Sequence, residues 1–113
     1  MLEKVERIGW LFGLYGELLT SKQQQLVQFY YFDDLSLAEI AVELGVSRQA
    51  VYFGLKRSEE ALETYEKRLG LLAEQKTRCQ QVQKLLGLIT EYRDCLNPKF
   101  LDEAERILME MLD

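Results

Sequence analysis

Apolar side chains along this chain recur at three and four residues, and no stretch alternates apolar with polar for long. The pattern therefore predicts helices throughout and gives sheet little support. It is cleanest between Asp34 and Leu62, where Leu37, Ile40, Ala41 and Leu44 fall at i, i+3, i+4 and i+7, one face of a short amphipathic helix. Ser36 and Glu39 form a Ser-x-x-Glu capping box at its start. Gly45 ends it, since glycine readily takes the left-handed conformation that reverses the chain, and Val46 is expected to drop into the crevice beyond. Ser47 caps the next helix, in which Val51 and Leu55 point back to the same core.

Two short helices joined by a three- to four-residue turn containing glycine predict a helix-turn-helix, whose second helix can lie in a DNA major groove. Ala41, four residues before Gly45, is small enough for the helices to cross closely. Gln49, Tyr52 and Lys56 fall at i, i+3 and i+7 on the opposite face, flanked by Arg48 and Arg57. These five are the candidate nucleic-acid-binding residues, because their groups reach phosphates and base edges. Between Glu43 and Glu59 the only charges are Arg48, Lys56 and Arg57, all positive.

Around this centre the periodicity predicts further helices. Residues 3–18 carry Val5, Ile8, Leu11, Phe12, Tyr15 and Leu19 on one stripe with Trp10 beside it. Thr20 and Gln23 form a second capping box, opening a helix whose apolar side is Leu26, Val27, Tyr30 and Tyr31 and which Asp33 and Asp34 end. The rings of Phe29, Tyr30, Tyr31 and Phe32 are expected to be core, since no basic residue is interleaved among them. After Lys56 no breaker precedes Gly70, and Leu62, Tyr65, Leu69 and Leu72 are spaced as a coiled-coil seam. Cys79, Val82, Leu86 and Ile89 repeat that spacing in a further run reaching about Asp94, out of phase with the first, so a bend is expected near Gly70. Asn97-Pro98 then starts a last helix burying Phe100, Leu101, Ala104, Ile107, Leu108 and Met111. The expected organisation is a helix-turn-helix domain over 1–57 and a helical dimerisation arm over 58–113. Leu62, Tyr65, Leu69, Leu72, Val82, Leu86 and Ile89 are the expected homodimer contacts, because their stripes lack intrachain cover.

Composition narrows the functional classes. The 113 residues, 48% hydrophobic with one proline, suit one compact domain or a small domain with an arm. The net charge is −5, and the excess acid lies late: residues 1–57 hold 6 basic and 7 acidic side chains, residues 58–113 hold 8 and 12. Such acidity argues against strong sequence-independent nucleic-acid binding. No histidine is present, and there is no glycine-rich phosphate loop or paired-cysteine motif, so no catalytic, metal or cofactor site is expected and the chain does not read as an enzyme. Cys79 and Cys95 read as reduced thiols of a cytoplasmic protein. The N-terminus has no signal-peptide pattern, and no run approaches a membrane span.

The stretch YYFDDLSLAEIAVELGVSRQAVYFGLKRSEEALETYEKRLGLL resembles the YlxM family of small bacterial helix-turn-helix proteins, itself similar to region four of bacterial sigma factors. The resemblance covers roughly residues 5–75. It implies an all-α fold, with a sigma region four-like helix-turn-helix followed by extended C-terminal helices. It further implies a DNA-binding regulator of transcription associated with the signal recognition particle pathway. The alternative is an adaptor that holds signal recognition particle protein or RNA on its helical surfaces. Phe53 and Gly54 depart from the family pattern, standing where polar residues are expected. Glycine also costs the second helix about 1 kcal/mol relative to alanine.

Overall fold

The computed structural model describes residues 2–112, and among them there is no strand. Six helices follow in order: α1 (Leu2–Tyr15), α2 (Ser21–Val27), α3 (Leu37–Leu44), α4 (Arg48–Leu69), α5 (Leu71–Cys95) and α6 (Pro98–Leu112). A 3₁₀ turn, Gly16–Leu18, follows α1, and a wide π turn, Gln28–Phe32, extends α2. The chain forms two compact units, one ending at Leu72 and the other beginning at Ala73. The boundary expected after Arg57 falls inside α4, which runs on without a break to Leu69.

The helix boundaries are set by side chains next to them in sequence. Thr20 Oγ1 accepts from the Gln23 amide at 3.2 Å while Gln23 Oε1 accepts from the Thr20 amide at 3.0 Å. Ser36 and Glu39 make the same reciprocal pair at 3.1 and 3.0 Å, so two orphan amides are satisfied at the start of α3. Gly45, at φ 66°, closes α3: its own amide reaches the Val42 carbonyl and the Val46 amide reaches that of Ala41, the paired bonds of a Schellman turn. Ser47 Oγ then accepts from the Ala50 amide at 3.0 Å and opens α4. Gly70, at φ 64°, ends α4 with its amide on the Glu66 carbonyl.

In the first unit two contiguous clusters make the core. Leu26, Ile40, Ala41, Val51 and Leu55 lie under the helix-turn-helix, with Val46 packed against them. Ile8, Leu11, Tyr15, Leu19, Val27, Leu62 and Leu72 form the other, between α1 and the second half of α4. Each fully buried Leu or Ile contributes about 1.5–3 kcal/mol through area removed from water. Ser58, fully buried on the inner face of α4, satisfies its hydroxyl by donating to the Gly54 carbonyl at 2.8 Å.

Gly54 has a packing reason. A Cβ there would stand 2.6 Å from Leu26 Cδ1, so any larger residue would force the Leu26 side chain to shift where α4 crosses α2. Ion pairs tie α1 to α4: Arg7 meets Glu63 through two nitrogens at 2.6 and 2.8 Å, and Lys4 meets Glu59 at 2.8 Å. Near Gly70, the Tyr15 hydroxyl donates to Glu66 Oε1 at 2.8 Å and accepts from the Leu71 amide at 3.1 Å. Glu66 Oε1 also accepts from the Leu72 amide at 2.9 Å, so the first amides of α5 find partners on α1 and α4.

Several expectations change. Val5 is exposed, because α1 buries Ile8, Leu11 and Tyr15 and Val5 stands off that face. The aromatic run is only half core: Phe29 and Tyr31 are partly buried, while Tyr30 and Phe32 are exposed, and the Tyr30 ring meets Tyr31 edge to face with centroids 5.1 Å apart. Phe32 instead meets Phe12 with ring centroids 5.5 Å apart. In the second unit, Leu85 and Leu88 of α5 pack with Ala104 and Ile107 of α6, flanked by Phe100 and Met111. Leu101 and Leu108 of α6 are exposed, since the buried stripe is a single narrow face centred on Ala104 and Ile107. Cys79 and Cys95 are both exposed free thiols. Asn97 Oδ1 accepts from the Lys99 amide at 3.1 Å at the start of α6, and Leu96 just before it carries a positive φ of 55°.

Candidate nucleic-acid interface

The Schellman turn at Gly45 and the cap at Ser47 place the first ten residues of α4, 48–57, across α3. Val51 and Leu55 face inward, and Arg48, Gln49, Tyr52, Phe53, Lys56 and Arg57 are all exposed. The five residues expected from sequence thus share the solvent side of one helix. Among the described residues, the side chains of Arg48, Gln49, Lys56 and Arg57 make no hydrogen bond or ion pair, so their donors are open to a ligand.

The nearby acids are turned elsewhere. Glu59 is held by Lys4. Burial first and the neighbouring Glu59 carboxylate second push the Tyr31 hydroxyl well above the usual tyrosine pKa, so it stays protonated. Glu63 is held by Arg7, whose hydrogen bonds keep its carboxyl below the usual carboxylate range. The same bonds raise the Arg7 guanidinium, and hydrogen bonding to Glu59 raises Lys4. Two of the first acids after the basic stretch are therefore neutralised against α1, and Glu60, exposed one turn beyond Lys56, marks where the acid-free face ends. By contrast the exposed side of α3 carries Glu39, Val42 and Glu43 and does not suit phosphate.

Phe53 is the site residue that sequence reasoning set aside. It departs from the polar pattern of the family, yet it is 52% exposed beside Tyr52, itself 50% exposed. The ring centroids lie 5.3 Å apart, edge to face. The signal was available in its spacing, since Phe53 stands four after Gln49 and three before Lys56, on their side of the helix.

The expected dimer contacts separate. Leu62 and Leu72 are buried and Tyr65 is partly buried within their own unit, where α1 covers them. Leu69, Val82, Leu86 and Ile89 are exposed. No described helix is long and apolar enough to cross a membrane, and no cluster of metal-ligating side chains occurs among the described residues.

Comparison with known proteins agrees with the helix-turn-helix fold. The family model described as "UPF0122: Putative helix-turn-helix protein, YlxM / p13 like" matches residues 2–97. A UPF0122 protein of Listeria monocytogenes is 49% identical over 113 residues, covering 99% of this chain and 96% of the relative. One from Listeria innocua is 46% identical over 112 residues, with 99% and 96% covered. One from Bacillus cereus is 53% identical over 91 residues, with 80% and 83% covered. The chain belongs to the UPF0122, YlxM/p13-like helix-turn-helix family.

Proposed function

We propose that this member of the YlxM/p13-like family is a non-enzymatic DNA-binding regulatory protein of the cytoplasm that presents α4 to the major groove. Arg48 and Gln49, at the capped start of the helix, address base edges, and Tyr52, Lys56 and Arg57 lie against the backbone and groove wall. One observation carries the reading: among the described residues, three cations without a side-chain partner share the outer face of α4 with a glutamine likewise unpartnered, while Glu59 and Glu63 are tied to α1. Only three such cations imply modest affinity and a shallow salt dependence.

The test is a titration of labelled duplex DNA at two salt concentrations. Lys56→Ala or Arg57→Ala is expected to weaken binding to all sequences alike and to lower the salt slope by about one each. Arg48→Ala or Gln49→Ala should relax discrimination at one base pair. Affinity weaker than roughly 100 micromolar, the loose end of non-specific binding, overturns the proposal.

A second reading is favoured by the exposed stripe Val82, Leu86 and Ile89 in the second unit. Spaced 4 and 3, these residues suit a partner helix. A second copy of the chain would give a homodimer able to meet two half-sites. A signal recognition particle component would make the chain an adaptor. Light scattering distinguishes them: a mass of 13.3 kDa at micromolar concentration excludes the dimer.

A further inference from the structure

We propose that the outer face of α4 reads thymine through its 5-methyl group, with Phe53 as the contacting ring and Gln49 as a neighbouring adenine reader. This rests on the DNA-binding reading above and narrows it to a class of target, duplex sites rich in A·T pairs. The only apolar group a base pair offers in the major groove is the thymine methyl, whereas every other edge presents hydrogen-bond donors or acceptors. A half-exposed phenylalanine in the middle of a reading face therefore has one base-edge partner that does not cost desolvation.

Three observations support the assignment. Phe53 lies on the same side of α4 as Gln49 and Lys56, one turn from each, so the ring meets the groove floor whenever those side chains meet base and phosphate. The Tyr52 ring braces it edge to face at 5.3 Å, which limits the ordering entropy that binding must supply. Tyr52 itself lines a groove with Tyr30, Tyr31 and Leu37. Gln49 makes a bidentate pair with adenine N6 and N7, and adenine and thymine read on adjacent steps select the same kind of site.

The experiment uses the full-length protein and four labelled probes of equal length. These are an A·T-rich duplex, the same duplex with every thymine replaced by deoxyuracil, a G·C-rich duplex, and the A·T-rich sequence as a single strand. The deoxyuracil change removes only methyl groups. Wild type is expected to bind the thymine duplex roughly fourfold more tightly than the deoxyuracil duplex for each methyl buried. Phe53→Ala should bind both duplexes equally, at the deoxyuracil level, with an unchanged salt slope. Because the ring is on the surface, circular dichroism of Phe53→Ala should match wild type. Equal affinity of wild type for the thymine and deoxyuracil duplexes overturns the thymine reading and leaves DNA binding standing. Tighter binding to the single strand also overturns it, since the rings would then be stacking on open bases. Absence of binding to any duplex overturns both proposals.

Discussion

Replacing Gly54 by alanine sets two effects of known size against each other. Alanine in a helix interior is favoured over glycine by about 1 kcal/mol, so on propensity alone the substitution stabilises α4. The new Cβ, however, would lie 2.6 Å from Leu26 Cδ1, about 1 Å inside the distance at which two carbons attract. Leu26 is 3% exposed and packs with Ile40, Ala41, Val51 and Leu55, so moving its Cδ1 disturbs that cluster. Overpacking of this kind costs about 1–3 kcal/mol. The balance is a net loss of up to about 2 kcal/mol, and for a unit of this size each kcal/mol moves the melting midpoint by about 4–8 °C.

The decisive arm is the same substitution after Leu26 has been shortened to alanine or valine. The clash is then gone, and Gly54→Ala should raise stability by about 1 kcal/mol, reversing its sign. Trp10, the one tryptophan, lies in α1 and reports by fluorescence on the unit concerned. Urea titrations of the four proteins give the cycle. If Gly54→Ala stabilises the wild type as much as it stabilises the shortened variant, the crossing does not require glycine and the packing argument fails.

Leu62→Ala is expected to cost about 2–5 kcal/mol at any protein concentration, since α1 covers the side chain within one chain; a cost that vanishes on dilution would place Leu62 at an interface instead. Leu86→Glu should leave the fold intact by circular dichroism while abolishing self-association if the second unit pairs. Glu63 and Glu39 are both held below the usual carboxylate range, by Arg7 and by the Ser36 amide and hydroxyl respectively. Near pH 4.5 the unfolded chain therefore binds more protons than the folded one. Their contribution is present above that pH and is lost as pH falls through the folded values, so Glu63→Gln should flatten the acid limb of the stability curve. Leu96→Gly should stabilise the second unit by up to about 1–2 kcal/mol, because a left-handed leucine carries strain that glycine does not; an unchanged melting midpoint contradicts this.

What could be read from the sequence was local. The boxes at Thr20 and Ser36, the glycine turn and the Ser47 cap involve residues within five positions of one another, so spacing alone determines them. The outer face of α4 followed from the inner one by exclusion. Contacts decided across the fold were not legible. Nothing near Gly54 in sequence reveals that Leu26 sits opposite it. In α5 the residues Leu85, Leu86, Leu88 and Ile89 offer two faces, and the heptad reading chose Leu86 and Ile89, whereas α6 covers Leu85 and Leu88. Leu62 and Leu72 read as partner contacts for a related reason: the periodicity marks an apolar stripe but does not say whose surface covers it.

The continuity of α4 has a mechanical consequence. Its 22 residues make a bar about 33 Å long. One end bears the outward side chains, and the other is gripped from the flank by Lys4, Arg7 and the Ile8 cluster. A short helix hung between loops can swivel to suit an imperfect surface. This one cannot turn about its axis without sliding Glu59 and Glu63 off their cations and Leu62 out of its socket. Whatever meets residues 48–57 meets them as a stiff template, so a mismatched surface keeps its full penalty and is rejected instead of accommodated.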